Sequence, residues 1–573
     1  MPGMGEGVDV NNPTIVNLFR SGLHDNFVWL LGIAVVFSVV LALRSVRSGM
    51  TTAEWIEPRG RTMLRTGLGL LWILDGILQL QAAMPLGLGS KILEPSKESA
   101  PTWWHGVINS AVEFWNQHPI ALAQSVVWLQ LGLGLLLLCS SGRISRIAGR
   151  LSVIWALIIW FVTGFSGLFA HAPSLLFGWP GAPVFYVIAG LSVAMAAERF
   201  PHVYQAVVSR VVGGILMAGA ILQVLPNNGF WSNGQGNALN AMILDMTSVP
   251  QPEFLAGLGH IFAGVVRAAG PGINIMLVVW MMATGVGLWR TTVSGFVWPS
   301  RSLVAGALAG WVLIQDTGLF GGLSTDPNSL ILVALLGYTL SPAMRTAAPL
   351  ALRVGPQLRI SLANAGMALG AAALLVGLVV GGGVLLRPVE STLYAVYNGD
   401  ISTVSAPAPP FSLTDQGGEP FVLAKHRGEV VLLSFLDPVC DEECPQIGHQ
   451  LLDVVNHYAN SDRKVAMVVV AANLEEHSAN DINHFMGEYD LANKKNIYFL
   501  NGSDKELVEV FSLYGITVTS GGADGGNVHS NVIYIIDEAG QIRYIVGDDP
   551  APGVAGRAST ARVLEDAIDA LQK

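Results

Sequence analysis

Ten apolar stretches fill the first two thirds of the chain, each near the length of about 20 residues that a helix needs to cross a bilayer. They run approximately over 27–43, 63–83, 119–139, 147–169, 182–197, 206–226, 271–289, 302–318, 328–344 and 360–386. Two further stretches, 101–118 and 251–269, are apolar but interrupted. They are expected to lie at the membrane surface or to re-enter it. Of 573 residues, 13% are charged and 51% hydrophobic, whereas an ordinary soluble domain is about 25% charged. This excludes a simple cytosolic enzyme and a disordered chain. Three cysteines cannot staple a secreted disulfide scaffold.

The loops between the stretches set an orientation. Arg44, Arg47, Arg59, Arg61 and Arg65 lie between the first two, and Arg143, Arg146 and Arg150 between the third and fourth. Arg199 and Arg210 follow the fifth, Arg290 and Arg301 the seventh, and Arg345, Arg353 and Arg359 the ninth. The intervening loops hold only Arg20, Lys91, Lys97, Arg267 and Arg387. By the positive-inside rule both termini face outward. The first 26 residues show no basic leader followed by an early apolar stretch, so no cleaved signal is expected. The chain reads as a multi-pass protein of a prokaryotic plasma membrane.

Charge divides along the same line. Residues 1–390 hold 20 Lys and Arg against 15 Asp and Glu, and residues 391–573 hold 11 against 26. An acidic, soluble-looking part thus follows an apolar one, outside the cell, where thiols meet an oxidising environment. Neither part carries the basic stripe of a nucleic-acid binder.

The apolar part repeats itself. Pro119 with Val127-Trp128 answers to Pro271 with Val279-Trp280, and Trp160 with Gly167-Leu168-Phe169 to Trp311 with Gly318-Leu319-Phe320. Gly76-Ile77-Leu78-Gln79 answers to Ala220-Ile221-Leu222-Gln223. The expected organisation is a first segment with one helix over 1–61, parallel repeats over 62–204 and 205–357, and a last helix over 358–387. A linker over 388–410 and an outward domain over 411–573 follow. Four-helix units of this kind, opening on Arg and a Gly-Leu-rich helix, resemble the DoxX/MauE group, which is associated with thiol and quinone redox systems.

Polar residues inside the apolar stretches have two readings. Asp75, Gln79, Gln130, Gln223, Gln315 and Asp316 are functional groups, or they fix helix packing through hydrogen bonds. Packing is favoured for the glutamines; for Asp75 both readings stand. Outward His105, His118, His171 and His260, with Met84, Met242 and Met246, offer donors for copper, but their spacing matches no metal motif and they are expected to pack at the interface. Cys139 is the single cysteine in the apolar part. A membrane thiol relay of the DsbD/CcdA or vitamin K epoxide reductase kind needs a pair.

Beyond Ala406-Pro407-Ala408-Pro409-Pro410 the periodicity changes. Val430–Leu436 and Val465–Ala471 are continuous β-branched and apolar runs, as buried strands require. Helical spacing follows at 447–458, near 479–490, at 503–513 and at about 558–571. Short strands are expected at 497–500, 532–537 and 542–546. Strand, cysteine loop, helix, strand, helix, hairpin, helix is the plan of a thioredoxin-like α/β domain.

Cys440-x-x-x-Cys444-Pro445 follows the first buried strand and opens a helix. Phe411-Ser412-Leu413-Thr414-Asp415-Gln416, Arg427-Gly428, and His529-Ser530 before Val532–Asp537 complete a set that resembles the Sco family of copper-binding redoxins. The resemblance covers about 405–572 and implies Cys440, Cys444 and His529 as copper ligands. Soft thiolates suit Cu(I), and an imidazole completes a low-coordinate site. Cys444, near a helix N-terminus, is expected to gain thiolate character. Two departures stand out. The insert Asp441-Glu442-Glu443 is acidic, and Ala471-Ala472-Asn473-Leu474 replaces a Ser-Val-Asp-Pro-like turn. His426, His449, His457, His477 and His484 are expected at the surface.

The expected fold is therefore a polytopic all-α membrane domain of about ten spans with a duplicated four-helix unit, plus a thioredoxin-like α/β domain. The expected function is copper binding, reduction of a partner's disulfide, or both, during assembly of a copper centre. The partner would be a respiratory oxidase subunit or another exported copper or thiol protein. Cys440 would attack and Cys444 resolve, with His529 as ligand or proton acceptor. Three alternatives remain: a metal-free thiol–disulfide oxidoreductase or peroxiredoxin-like reductase, a transporter with a regulatory redoxin, and a plain structural disulfide.

Overall fold

A computed structural model describes residues 9–48, 57–294, 297–345, 356–385, 401–441, 443–492, 494–519, 528–547 and 559–571. By its internal contacts the chain forms two units. One comprises 23–111 and 121–385; the other comprises 1–22, 112–120 and 386–573.

Each of the ten apolar stretches contains a helix. These are α1 (Pro13–Ser48), α2 (Arg59–Leu78), α3 (Pro119–Cys139), α4 (Gly142–Val162), α5 (Ala182–Ala194), α6 (Ser209–Val224), α7 (Glu253–Ser294), α8 (Trp298–Leu313), α9 (Ser329–Thr339) and α10 (Pro356–Leu385). Among the described residues, six helices are long and apolar enough to cross a membrane: Pro13–Leu41, Pro119–Cys139, Gly142–Val162, Tyr204–Val224, Glu253–Arg290 and Leu362–Val384. The helices of α5 and α9 are apolar but shorter. The boundary expected near 270 is a kink rather than a break. Helix α7 runs through Pro271, with non-helical angles at Ala269, because proline lacks an N–H and crowds the preceding turn.

The helical unit has an apolar core, with Leu64, Leu68, Leu137, Leu216 and Leu336 fully buried, but it also turns apolar side chains outward and polar ones inward. Val28, Val35, Ile154, Ile221, Val279, Leu378 and Val379 are exposed, while Asp75, Gln79, Gln130, Gln223 and Gln315 are buried. Glycine allows the helices to meet. A Cβ on Gly134 of α3 would lie 2.6 Å from the Gly69 carbonyl of α2, and a Cβ on Gly213 of α6 would lie 2.7 Å from the Gly285 carbonyl of α7. Close approach at small residues drives helix association in lipid.

Other features also come in pairs. The Trp160 indole donates to the Pro180 carbonyl at 3.2 Å, and the Trp311 indole to the Pro327 carbonyl at 2.7 Å. Left-handed backbone runs occur at Phe165, Ser166 and Gly167 and again at Asp316, Thr317 and Gly318.

Two of the buried glutamines make side-chain bonds to other segments, although Gln223 Nε2 has no partner among the described residues. Gln223 accepts from Ser174, and Gln315 bonds Ser329 and the Leu330 N–H. Asp75 accepts a hydrogen bond from the Tyr186 hydroxyl at 2.6 Å. Its second oxygen, Gln79 Oε1 and Gln130 Oε1 have no partner among the described residues.

The second unit is built on a six-stranded sheet of order β1-β10-β9-β4-β5-β6. The strands are β1 (Ile401–Pro407), β4 (Val430–Leu436), β5 (Val465–Ala471), β6 (Ile497–Leu500), β9 (Val532–Ile536) and β10 (Gln541–Gly547). Two small ribbons, β2 (Ser412–Thr414) with β3 (Pro420–Val422) and β7 (Val518–Thr519) with β8 (Val528–His529), flank it. β4, β5 and β6 are parallel, and β9 runs antiparallel to β4. Every residue of β4 and β5 is buried. That is why both read as unbroken apolar runs. Helices α11 (Glu443–Tyr458), α12 (Ala479–Glu488), α13 (Asp504–Tyr514) and α14 (Thr560–Ala570) complete the domain.

Two expectations need correction. The sheet begins inside the segment expected to be a linker: β1 pairs with β10 from Ile401↔Val546 to Pro407↔Gln541. Alternation and prolines disguise an edge strand as spacer. Residues 388–400 of that linker lie outside the described residues. The N-terminal residues 9–22, expected to go with the first membrane helix, group with the sheet domain instead.

Candidate functional site

The site forms where β4 ends. Asp437 is buried, and its side chain shapes the loop. Its Oδ1 accepts the Val439 N–H at 3.0 Å, and its carbonyl accepts the Cys440 N–H at 3.3 Å. The Asn473 amide, from the segment after β5, donates to Oδ1 at 3.0 Å and Oδ2 at 3.1 Å. Asn473 in turn accepts the N–H groups of Glu475 and Glu476. Sequence reasoning marked this segment only as a departure and did not single out Asp437 or Asn473. The signal was an Asp and an Asn each just past a buried strand.

Cys440 is half-buried on the loop, and Cys444 is buried in the first turn of α11. Both are free thiols. They are joined by a hydrogen bond that, together with burial, pushes the Cys444 thiol well above its usual range. The expected gain of thiolate character at Cys444 is thus reversed. A helix N-terminus is worth a fraction of what burial removes. Asp441 is exposed, and Glu442 lies outside the described residues.

His529 reaches the site from β8. Val518↔His529 is a pair of the β7–β8 ribbon, which is fastened by Ser530 N–H to the Thr517 carbonyl and Thr517 N–H to Ser530 Oγ, both at 3.1 Å. The imidazole is 5% exposed, and Nε2 lies 3.4 Å from Cys444 Sγ. Nδ1 faces the Ser530 carbonyl at 3.4 Å. A proton on Nδ1 makes Nε2 an acceptor for the thiol. Burial lowers the imidazole pKa, with the Ser530 carbonyl and Asp437 opposing. Both partners are therefore held neutral.

All three residues named from the sequence meet here, pairwise: thiol to thiol and thiol to imidazole. Two sulfurs and one nitrogen are a fitting donor set for a soft monovalent cation. Among the described residues, no group of three or more His, Cys, Asp or Glu side chains is already gathered as a metal cage. The other histidines of the domain stay apart from the site. His457 and His484 pair with Glu565 and Glu488, and His449 stands edge-on to Tyr489. His426 and His477 are less exposed than expected. The first stacks on Phe421 and bonds Glu429 at 2.7 Å; the second bonds Asn501 at 2.8 Å.

Residues 400–560 match the family model for SCO1/SenC. Among solved structures, the chain is similar to Arabidopsis thaliana ScoI with copper bound, at 20% identity over 29% of this chain and 100% of that one (TM-score 0.24). It is also similar to Bradyrhizobium japonicum ScoI with copper bound, at 20% identity over 29% and 99% (TM-score 0.23). A third is a SCO1/SenC family lipoprotein from Bacillus anthracis, at 16% identity over 30% and 98% (TM-score 0.26). No curated protein matches the chain.

Proposed function

Residues 400–560 being a SCO1/SenC family domain, we propose that the protein is a membrane-anchored redoxin that binds copper, exchanges thiols with a partner's disulfide, or both, while a copper centre is assembled. The observation that carries this reading is the 3.4 Å contact between Cys444 Sγ and His529 Nε2, with Cys440 on the same turn. Cys440, Cys444 and His529 would hold the ion. Copper supplies a soft centre that thiolate and imidazole can pass to another thiol-rich site. Asp437 and Asn473 shape the turn, and the ribbon presents the imidazole. A terminal oxidase subunit is the partner class this reading favours.

Thiol exchange uses the same atoms. The half-buried Cys440 is the accessible nucleophile, and Cys444, hydrogen-bonded to it, is the resolving thiol. Cys440 attacks a partner's disulfide and releases one partner thiolate. Cys444, passing its proton by way of the His529 imidazole to the departing sulfur, then displaces the second thiol, leaving Cys440 and Cys444 joined by a disulfide and the partner reduced by two electrons.

The exposed apolar faces and the alternating arginine loops support a multi-pass protein of a prokaryotic plasma membrane, with N-terminus and redoxin outward. The grouping of residues 9–22 with the redoxin agrees with that topology. The matched glycine crossings, Trp-to-Pro hydrogen bonds and left-handed turns support duplication of a four-helix unit. A DoxX/MauE-like origin for these units stays part of the proposal.

The test is a Cu(I) competition titration of the reduced full chain in detergent. One Cu(I) per chain is expected, with Cys440→Ser or His529→Ala greatly weakening it. Parental binding by both variants would overturn the copper reading. Metal-free turnover of a disulfide substrate would then favour thiol exchange.

A further inference from the structure

The first described residues are built like part of the redoxin. Asn12 is 1% exposed although it precedes a helix otherwise headed for the membrane. Its Oδ1 accepts the Thr14 N–H at 3.1 Å and its carbonyl the Val16 N–H at 3.0 Å, so it caps α1. Its amide nitrogen points the other way. It donates to the Tyr534 hydroxyl at 2.7 Å and reaches the Tyr514 carbonyl at 3.4 Å. The Tyr534 hydroxyl also donates to that carbonyl. Pro13 packs on Gly515, where any side chain would collide with it. Ile15, Val16 and Phe19 are buried, and Asn11, Asn17 and Arg20 are exposed. That pattern is one helical face turned inward.

Tyr514 and Tyr534 are not arbitrary anchors. Tyr514 ends α13, and the chain leaves it through Gly515, Ile516 and Thr517 into β7. The chain returns through β8, with His529, Ser530 and Asn531, into β9, which carries Tyr534. The two tyrosines are the stems of the excursion that delivers His529. Their rings lie 5.1 Å apart, edge to face. One amide from the other end of the sequence ties both stems together.

We infer that residues 9–19 are a wedge that belongs to the redoxin, and that Asn12 is a positioning residue for His529, clamping the two stems from which the imidazole is presented. The amide adds a second tie to the Tyr534-to-Tyr514 hydrogen bond, and Pro13 covers Gly515 just beyond Tyr514. With the amide lost, the buried Tyr534 hydroxyl has no donor to accept from, and its own bond to the Tyr514 carbonyl alone spans the stems. The inference rests on His529 belonging to the site and not on copper, so it is tested on metal-free protein.

The full chain, reduced and metal-free in detergent, is compared with Asn12→Ser and Asn12→Ala by amide hydrogen exchange. Serine keeps the helix cap but cannot reach the tyrosines, so it separates capping from clamping. Both variants are expected to speed exchange at the Ile516 and Ser530 amides by about fivefold or more, with β5 amides unchanged. Alkylation of Cys444 by a small reagent should rise in Asn12→Ser and show no further rise when His529→Ala is added. Unchanged ribbon exchange in Asn12→Ser, equal acceleration in β5, or an alkylation effect that persists without His529 would each overturn the clamp. Failure of the copper titration alone would leave it standing.

Discussion

Asn473 donates its side-chain amide to both carboxylate oxygens of Asp437, joining the ends of two parallel strands beneath the cysteine loop. The pair lies just beyond the last rung of the β4–β5 ladder, Leu436↔Ala471, although 36 residues of sequence separate the two. The same carboxylate holds Val439, and the same residue's carbonyl holds Cys440. Asn473→Ala takes from the buried Asp437 the donor that Oδ1 and Oδ2 share, leaving Oδ1 only the Val439 N–H, and should cost about 1–3 kcal/mol. Amide exchange at Cys440 should quicken before that of β4; equal protection in variant and parent would refute the link.

The two thiols differ in access. Cys440 is half-buried and Cys444 is buried with the imidazole against it. A membrane-impermeant maleimide applied to reduced, intact cells should label Cys440 first and Cys444 slowly or not at all. Absence of label on Cys440, with full label after permeabilisation, would place the redoxin on the inner side.

Trp160 and Trp311 make the same kind of bond, each to a proline carbonyl. Trp160→Phe should lower thermal stability in detergent by about 0.5–1.5 kcal/mol for one lost hydrogen bond, and Trp311→Phe by at least as much, since that indole also donates to the Thr317 carbonyl at 3.0 Å. Similar losses are the signature of equivalent positions. A large effect at one site and none at the other would speak against duplication.

Asp75 and Tyr186 form an unequal pair. Asp75→Asn keeps an oxygen that accepts from the hydroxyl at the 2.6 Å contact, whereas Tyr186→Phe leaves the carboxyl with nothing at that oxygen. Tyr186→Phe should therefore destabilise the helical unit more, by about 1–3 kcal/mol. If Asp75→Asn instead leaves stability unchanged but abolishes a redox or transport activity, the aspartate is functional rather than a packing residue.

The cap of α12 gives a pH signature. Ser478 and Asp481 form a reciprocal capping box, and the hydrogen bonds from Ser478 lower the Asp481 carboxyl pKa. A carboxylate with a depressed folded pKa stabilises above its unfolded value, about 3.9, and loses that contribution as pH falls through the folded value. Asp481→Asn should therefore speed exchange in α12 at neutral pH, and the difference from the parent should shrink in acid below about pH 4. A difference that grows on acidification would contradict the cap.

Some features were legible because they are local or periodic. Val430–Leu436 and Val465–Ala471 announce central parallel strands, since only a strand covered on both faces is apolar at every position. Cys440-x-x-x-Cys444-Pro445 announces its loop. Others were hidden. β1 reads as spacer, because an edge strand needs only half its surface covered and tolerates proline. The ionisation of Cys444 was read backwards, because its burial and its bond to Cys440 are properties of the packed loop and not of the helix N-terminus.

The order of residues by itself determined where the apolar stretches lie, which two strands form the buried centre of the sheet, and which sulfur and nitrogen atoms the chemistry has available. These follow from hydrophobic periodicity, loop charge and donor softness, all read within a few neighbouring residues. Only the tertiary structure decided that His529 meets Cys444 across 85 residues, and that Asn12 closes on Tyr514 and Tyr534 across more than 500. Such contacts depend on how separate elements stack and which polar groups are left to satisfy one another once water is excluded.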